Sequence, residues 1–108
     1  MKNFNQWRLS LTLLCLVCFC AAIPAAGADL AAGRNRAAIC TGCHGYAGVS
    51  ANDEWPNLAG QKTAYLVQQL KAFRDGTRVD PVMSPMVQGL TEADMELVAA
   101  WFNSLSGH

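Results

Sequence analysis

Cys40, Thr41, Gly42, Cys43 and His44 form the one stretch of this chain whose residue types and spacing dictate a particular chemistry. Two thiols three residues apart, at the end of a helix, can add to the two vinyl groups of one porphyrin and form two thioethers. The histidine that follows at once is then placed under the iron and can supply an axial nitrogen. Covalent attachment holds the haem even when an axial ligand leaves. Three other uses of these residues fit less well. A structural zinc site needs four ligands. Here there are three, His44 is too close in sequence to act as an independent corner, and the only other histidine is the terminal His108. A thioredoxin-type dithiol wants a strand–helix–strand setting, and none is legible. A plain disulfide is the third alternative, because lone thiols in an oxidising compartment tend to pair unless something else captures them.

One axial nitrogen leaves the other face of the iron to be explained. No second histidine is well placed, so methionine is the natural candidate. Met95 sits inside a helical stretch and reads as packing. Met83 and Met86 lie in a Pro-flanked loop, from which a soft thioether can swing over a haem face. On the residues alone both stay open.

Helices must position these groups. The first is expected from Leu30 to Cys43, with Asp29 as its N-cap. The second is expected from Lys62 to Asp75, on a stripe of Tyr65, Leu66, Gln69, Leu70 and Phe73 at three- and four-residue steps, stopped by Gly76. The third is expected from Thr91 to Leu105. Thr91 caps it, Glu92, Asp94 and Glu96 favour its positive end, and Leu97, Val98, Trp101, Phe102 and Leu105 make its apolar face. No convincing strand appears, so the fold class is all-α. Two long loops, Gly45 to Gly60 and Gly76 to Leu90, are unusual in so short a domain and make sense if they wrap a bound group.

The chain has 108 residues, room for one domain. Lys2 and Arg8 precede an almost wholly apolar run from Leu9 to Ile23, then Pro24 and the small-x-small Ala26-Gly27-Ala28. This is the form of an export signal with its cleavage site, and the run is shorter than the roughly twenty residues of a membrane span. The division is therefore a signal over 1–28 and one haem domain over 29–108, placing the mature protein in the periplasm with no membrane span. An uncleaved N-terminal anchor is the alternative. Cys15, Cys18 and Cys20 belong to the apolar run as small hydrophobes, and Leu14, Val17 and Phe19 before them do not suit a lipoprotein anchor. From Asp29 onward there are six basic and eight acidic side chains, with no clustered basic face, which speaks against nucleic-acid binding. A chain that short buries a thin core and needs a staple. A covalent haem would be a large apolar core element.

The segments Cys40–Gly45, Trp55–Gln61, Tyr65–Leu70, Met83–Met86, Gly89–Asp94 and Ala99–Phe102 together resemble a bacterial class I c-type cytochrome, above all a single domain of cytochrome c4 and the cytochrome c553-like proteins. The resemblance covers essentially all of 29–108. It implies three main helices and long loops around one covalent haem c. His44 becomes the proximal ligand, and the carbonyl of Pro56 accepts a hydrogen bond from its ring, fixing the tautomer. Gly33 becomes the first-helix glycine that lets the last helix cross closely, with Trp101 at the crossing. Met83 becomes the distal ligand, because the family pattern puts it seven residues before the Leu that precedes the last helix, here Leu90. Local chemistry agrees in part: Pro85 biases Ser84 toward extended backbone, so Met83 and Met86 should not share a face, and Met86 should pack toward Leu90. The tandem arrangement of cytochrome c4 does not carry over to one domain.

The resemblance and a saturated His/Met iron imply a single-electron carrier between a donor and an acceptor protein in a respiratory or related chain, not an enzyme. A haem-bearing subunit of a multi-subunit dehydrogenase is the alternative, favoured by an exposed apolar patch at the haem edge. A gas-binding or peroxide-cleaving haem protein needs an open distal site, and no distal His and Arg pair supports it.

Overall fold

The computed structural model describes residues 26–106, with side chains from Asp29 on. Residues 1–25, which hold the apolar run read as an export signal, lie outside the described residues, as does His108. Among the described residues there is no strand, and no helix long and apolar enough to cross a membrane.

The first helix differs from expectation. Helix α1 runs Ala26–Arg36, the chain tightens into a 3₁₀ turn over Ala37–Cys40, and α2, Thr41–His44, is one further α-turn. Asp29 therefore lies inside the first turn, not at the cap. Thr41 explains the interruption. Its backbone N–H and its hydroxyl both donate to the Ala38 carbonyl, the hydroxyl at 2.8 Å. That three-residue bond competes with the α-ladder and, at three residues per turn, rotates the cysteine turn relative to α1.

Helix α3, Thr63–Asp75, starts one residue later than expected and ends before Gly76, which adopts φ +81°. Its inward residues are Leu66 and Phe73. Helix α5 is Glu92–Ser104, and Thr91 closes a reciprocal cap with Asp94. Its buried face is Met95, Val98, Ala99 and Phe102, the i, i+3, i+4, i+7 pattern of one helical stripe. Leu97 and Trp101 are only half-buried, so the stripe is rotated from the expected face.

The rotation follows from the α1–α5 crossing. A Cβ on Gly33 would run into the Leu97 carbonyl and stand 3.1 Å from the Trp101 Cβ. Only glycine permits this approach, and Leu97 and Trp101 consequently edge the crossing. Beneath it, Ala37, Leu66, Val98, Ala99 and Phe102 form one apolar cluster. Phe73, Val87, Leu90 and Met95 form a second.

The loop before α5 also differs. Met83–Met86 is a short helix, α4, that passes through Pro85. Proline is tolerated there because the first-turn N–H groups of a helix have no partner within it. Asp80 organises the start: its carboxylate accepts from the N–H groups of Val82 and Met83, each at 2.8 Å, and Ser84 Oγ accepts from its own N–H at 3.0 Å. Asp80 and Pro81 thus form a turn that leads into α4, in which the Asp80 carboxylate takes up the N–H groups of the N-cap residue Val82 and of Met83.

Candidate haem site

Both apolar clusters help wall one cavity of about 520 Å³, and Cys40, Cys43, His44, Met83 and Met86 all line it. The volume is within the roughly 300–1,000 Å³ of ligand pockets. Both thiols are free. Burial, with the neighbouring Cys43 as a second cause, pushes the Cys40 thiol up to about 11. Among the described residues no three His, Cys, Asp or Glu side chains converge on a point where a metal ion could bind, which leaves the zinc alternative without a ligand set.

His44 is buried, with 6% of its surface exposed. Its Nδ1 stands 2.8 Å from the Pro56 carbonyl oxygen. A carbonyl can only accept, so Nδ1 carries the proton and donates, and in the neutral ring Nε2 is the nitrogen with the lone pair. No buried side-chain N or O atom among the described residues lacks a partner. Nε2 has no such partner, so it faces open space and not protein. A neutral imidazole with a fixed tautomer and a free nitrogen is the form a metal centre requires.

The backbone around the motif is arranged to hold this ring. Gly45 ends α2 at φ +84°, donating to the Thr41 carbonyl at 3.0 Å. A side chain there would strike the Val49 carbonyl. Ser50 then ties the loop back: its hydroxyl donates to the Cys43 carbonyl at 3.0 Å, and its N–H to Asn57 Oδ1 at 2.7 Å. Pro56 is thereby brought beside the ring. Ser50 and Asn57 escaped the sequence reading because isolated polar loop residues carry no periodicity. Asp80 escaped it too, although Asp-Pro is a legible helix start.

The two methionines do not sit as the extended-backbone argument expected. Because Met83 and Met86 are three apart on one helical turn, they share a face, and both line the cavity. Met83, not Met86, packs against the Phe73–Val87–Leu90–Met95 cluster. Met86 is 45% exposed. The Asp80 cap fixes the Met83 backbone directly, and those two N–H donors, Met83 first, hold the Asp80 carboxyl below its ordinary range.

The chemistry of this donor set fits a covalent haem. Two thiols for thioethers, one unprotonated imidazole nitrogen and one half-buried thioether open on a single, mainly apolar space.

Comparison with known proteins points the same way. The Cytochrome c family profile matches residues 25–106. Cytochrome c-554(548) of Halomonas halodenitrificans is 40% identical over 79 residues, covering 70% of this chain and 95% of that protein. Cytochrome c4 of Pseudomonas aeruginosa is 39% identical over 79 residues, covering 73% of this chain but 39% of that one. The solved cytochrome c4 of Acidithiobacillus ferrooxidans superposes with a TM-score of 0.66 at 37% identity, over 72% of this chain and 51% of its own. The chain thus spans nearly all of the Halomonas relative, but 39% and 51% of the two cytochrome c4 chains.

Proposed function

The chain belongs to the cytochrome c family, and from that premise we propose that it is an exported one-electron carrier whose haem c is held by Cys40 and Cys43 and ligated by His44 and Met83. Covalent haem c and electron transfer are the properties of the family itself. The ligand assignment, the export and the partner proteins are the proposal. Its main support is one observation: both cysteines, the Nε2-presenting His44 and the half-buried Met83 open on the same cavity.

When bound, the haem supplies a one-electron change at its iron. The chain's own residues make that change small in structure and confined to the electron. Cys40 and Cys43 fix the group to α2 and the turn before it. Pro56 orients the His44 ring and raises its basicity. Met83 offers a thioether, a ligand that raises the potential relative to electron-rich alternatives. With His44 and Met83 both holding the iron, no open position would remain for a substrate, which supports a carrier over an enzyme. Phe73, Leu90 and Phe102 exclude water from the walls. The pattern of residues 1–28 supports export to the periplasm, leaving 29–108 as the haem domain.

One observation favours a second reading, a haem-bearing subunit of a dehydrogenase. Trp55, Tyr65, Val82 and Met86 line the cavity and are 38%, 46%, 51% and 45% exposed. An apolar rim of this kind suits a lasting interface.

Acid–acetone extraction and voltammetry of the exported protein test the first reading. The expected result is haem retained on the polypeptide, one reversible one-electron wave, and no carbon monoxide adduct in the reduced form. Free haem in the organic phase, or rapid carbon monoxide binding, would refute it. Co-purification of a stoichiometric second chain would select the subunit reading.

A further inference from the structure

Arg78 has no role in the site described so far, yet among the described residues it is the only Lys or Arg side chain that lines the cavity. The other charged side chains there, Glu54 and Asp80, are acidic, and Asp80 is committed to the α4 cap. Among the described residues Arg78 makes no ion pair, whereas Arg36, Lys71 and Arg74 each do.

Its guanidinium is nevertheless held in place. The carbon of the group lies 4.4 Å from the centroid of the Phe73 ring, and Nη1 donates to Gln69 Oε1 at 2.6 Å. The backbone is fixed as well, with the Arg78 N–H donating to the Ala72 carbonyl at 3.0 Å, at the end of α3. Gln69 and Phe73 line the same cavity. An arginine has five N–H donors in a fork that matches a carboxylate. Gln69 takes one. A braced guanidinium also loses less entropy on pairing than a free one.

Haem carries two propionate carboxylates. A carboxylate brought to the edge of an apolar cavity is costly to desolvate unless a cation meets it. We infer that Arg78 receives a haem propionate, with Gln69 and Phe73 holding the guanidinium ready. This rests on the haem reading above. The competing use, a solvated arginine that only stacks on Phe73 and closes α3, predicts a stability role and nothing at the haem.

The two uses separate in holoprotein variants. Covalent haem content and the visible spectrum are measured first, so that a failure of haem attachment in the wild type is seen as a failure of the parent reading. In Arg78→Gln, with haem retained, the midpoint potential should fall, because a nearby cation disfavours the more positive ferric state. The propionate carboxylate band in the redox difference infrared spectrum should also move. Arg78→Lys keeps the charge but not the fork, so its potential should lie between the two while the band still moves. An unchanged potential and an unmoved band in Arg78→Gln, whatever its stability, would overturn the assignment. If Arg78→Gln does not fold, Arg78→Lys decides by the same band: moved, the pairing stands; unmoved, it falls.

Discussion

The α1–α5 crossing and the cavity side of this small domain are built on different principles. At the crossing the chain completes itself. Gly33 lies against the Leu97 carbonyl, Ala37, Ala99 and Phe102 are fully buried, and Arg36 reaches Asp94 across the two helix ends. On the cavity side Phe73, Met83 and Leu90 face His44 and the cysteines across a space of about 520 Å³. One region is finished by sequence, and the other by a cofactor.

The largest expected effect follows directly. Cys40→Ala/Cys43→Ala, made and purified without haem, should lose most of its native helical circular dichroism at 25 °C. Whatever amide-exchange protection survives should map to α1 and α5. A cooperative, fully helical haem-free fold would erase the contrast. Next in size is Gly33→Val, which attacks the self-completed side. The carbonyl of Leu97 is backbone and cannot yield, so overpacking should cost about 3 kcal/mol in denaturant unfolding. The midpoint potential should stay unchanged, since Gly33 does not line the cavity.

Met83→Ala acts on the other side. It should cost about 2 kcal/mol, remove the weak far-red Met-to-iron absorption, lower the potential and admit carbon monoxide. Met86→Ala, at an exposed site, should change stability by less than about 0.5 kcal/mol and leave the three spectroscopic and redox readings alone. The reverse pattern would transfer the ligand role to Met86 and make the cluster around Met83 mere packing.

The same division governs what the sequence disclosed. The helices α3 and α5 were legible because burial on one face imposes a period, and Thr91 and Gly76 mark their ends chemically. The Cys40–His44 motif was legible because haem attachment demands five positions in a row. The interruption at Ala37–Cys40 was not, since it turns on one Thr41 hydroxyl choosing the Ala38 carbonyl. Nor was α4, because Pro85 argues against helix everywhere except in a first turn, and only the Asp80 carboxylate, by holding the Met83 N–H, shows that the turn begins there. His44 to Pro56 was reached by resemblance alone, as no local pattern links residues twelve apart. Arg78 was invisible for a related reason: one basic residue after a glycine has no signature until Phe73 and Gln69 are seen beside it.

The smallest expected effect concerns Asp94, and it asks whether the crossing is held by charge as well as by shape. Arg36 Nε and Nη2 donate to the two Asp94 oxygens at 2.6 and 2.8 Å, joining the last residue of α1 to the first turn of α5. The Thr91 N–H donates to the same carboxylate at 2.9 Å. Exposed ion pairs usually contribute little, but this one is two-pronged, and the Asp94 side chain is only 14% exposed. The Arg36 guanidinium first, and then the Thr91 N–H, hold the Asp94 carboxyl far below its ordinary range. Folding therefore favours the ionised form. The stabilisation is fully present above the unfolded carboxylate value of about 4 and drains away as pH falls from there toward the lower folded value. Asp94→Asn keeps the size and one acceptor but not the charge. It should be less stable than the wild type at pH 7, equally so at pH 5, and progressively closer to it below about pH 4. Asp75, Asp80 and Glu92 are shifted in the same direction, so both proteins weaken in acid, the variant by less. Urea midpoints at pH 7, 5, 4 and 2.5 measure this. A gap that stays constant down to pH 2.5 would mean that Asp94 acts through the geometry of its cap alone, and that the crossing owes nothing to charge.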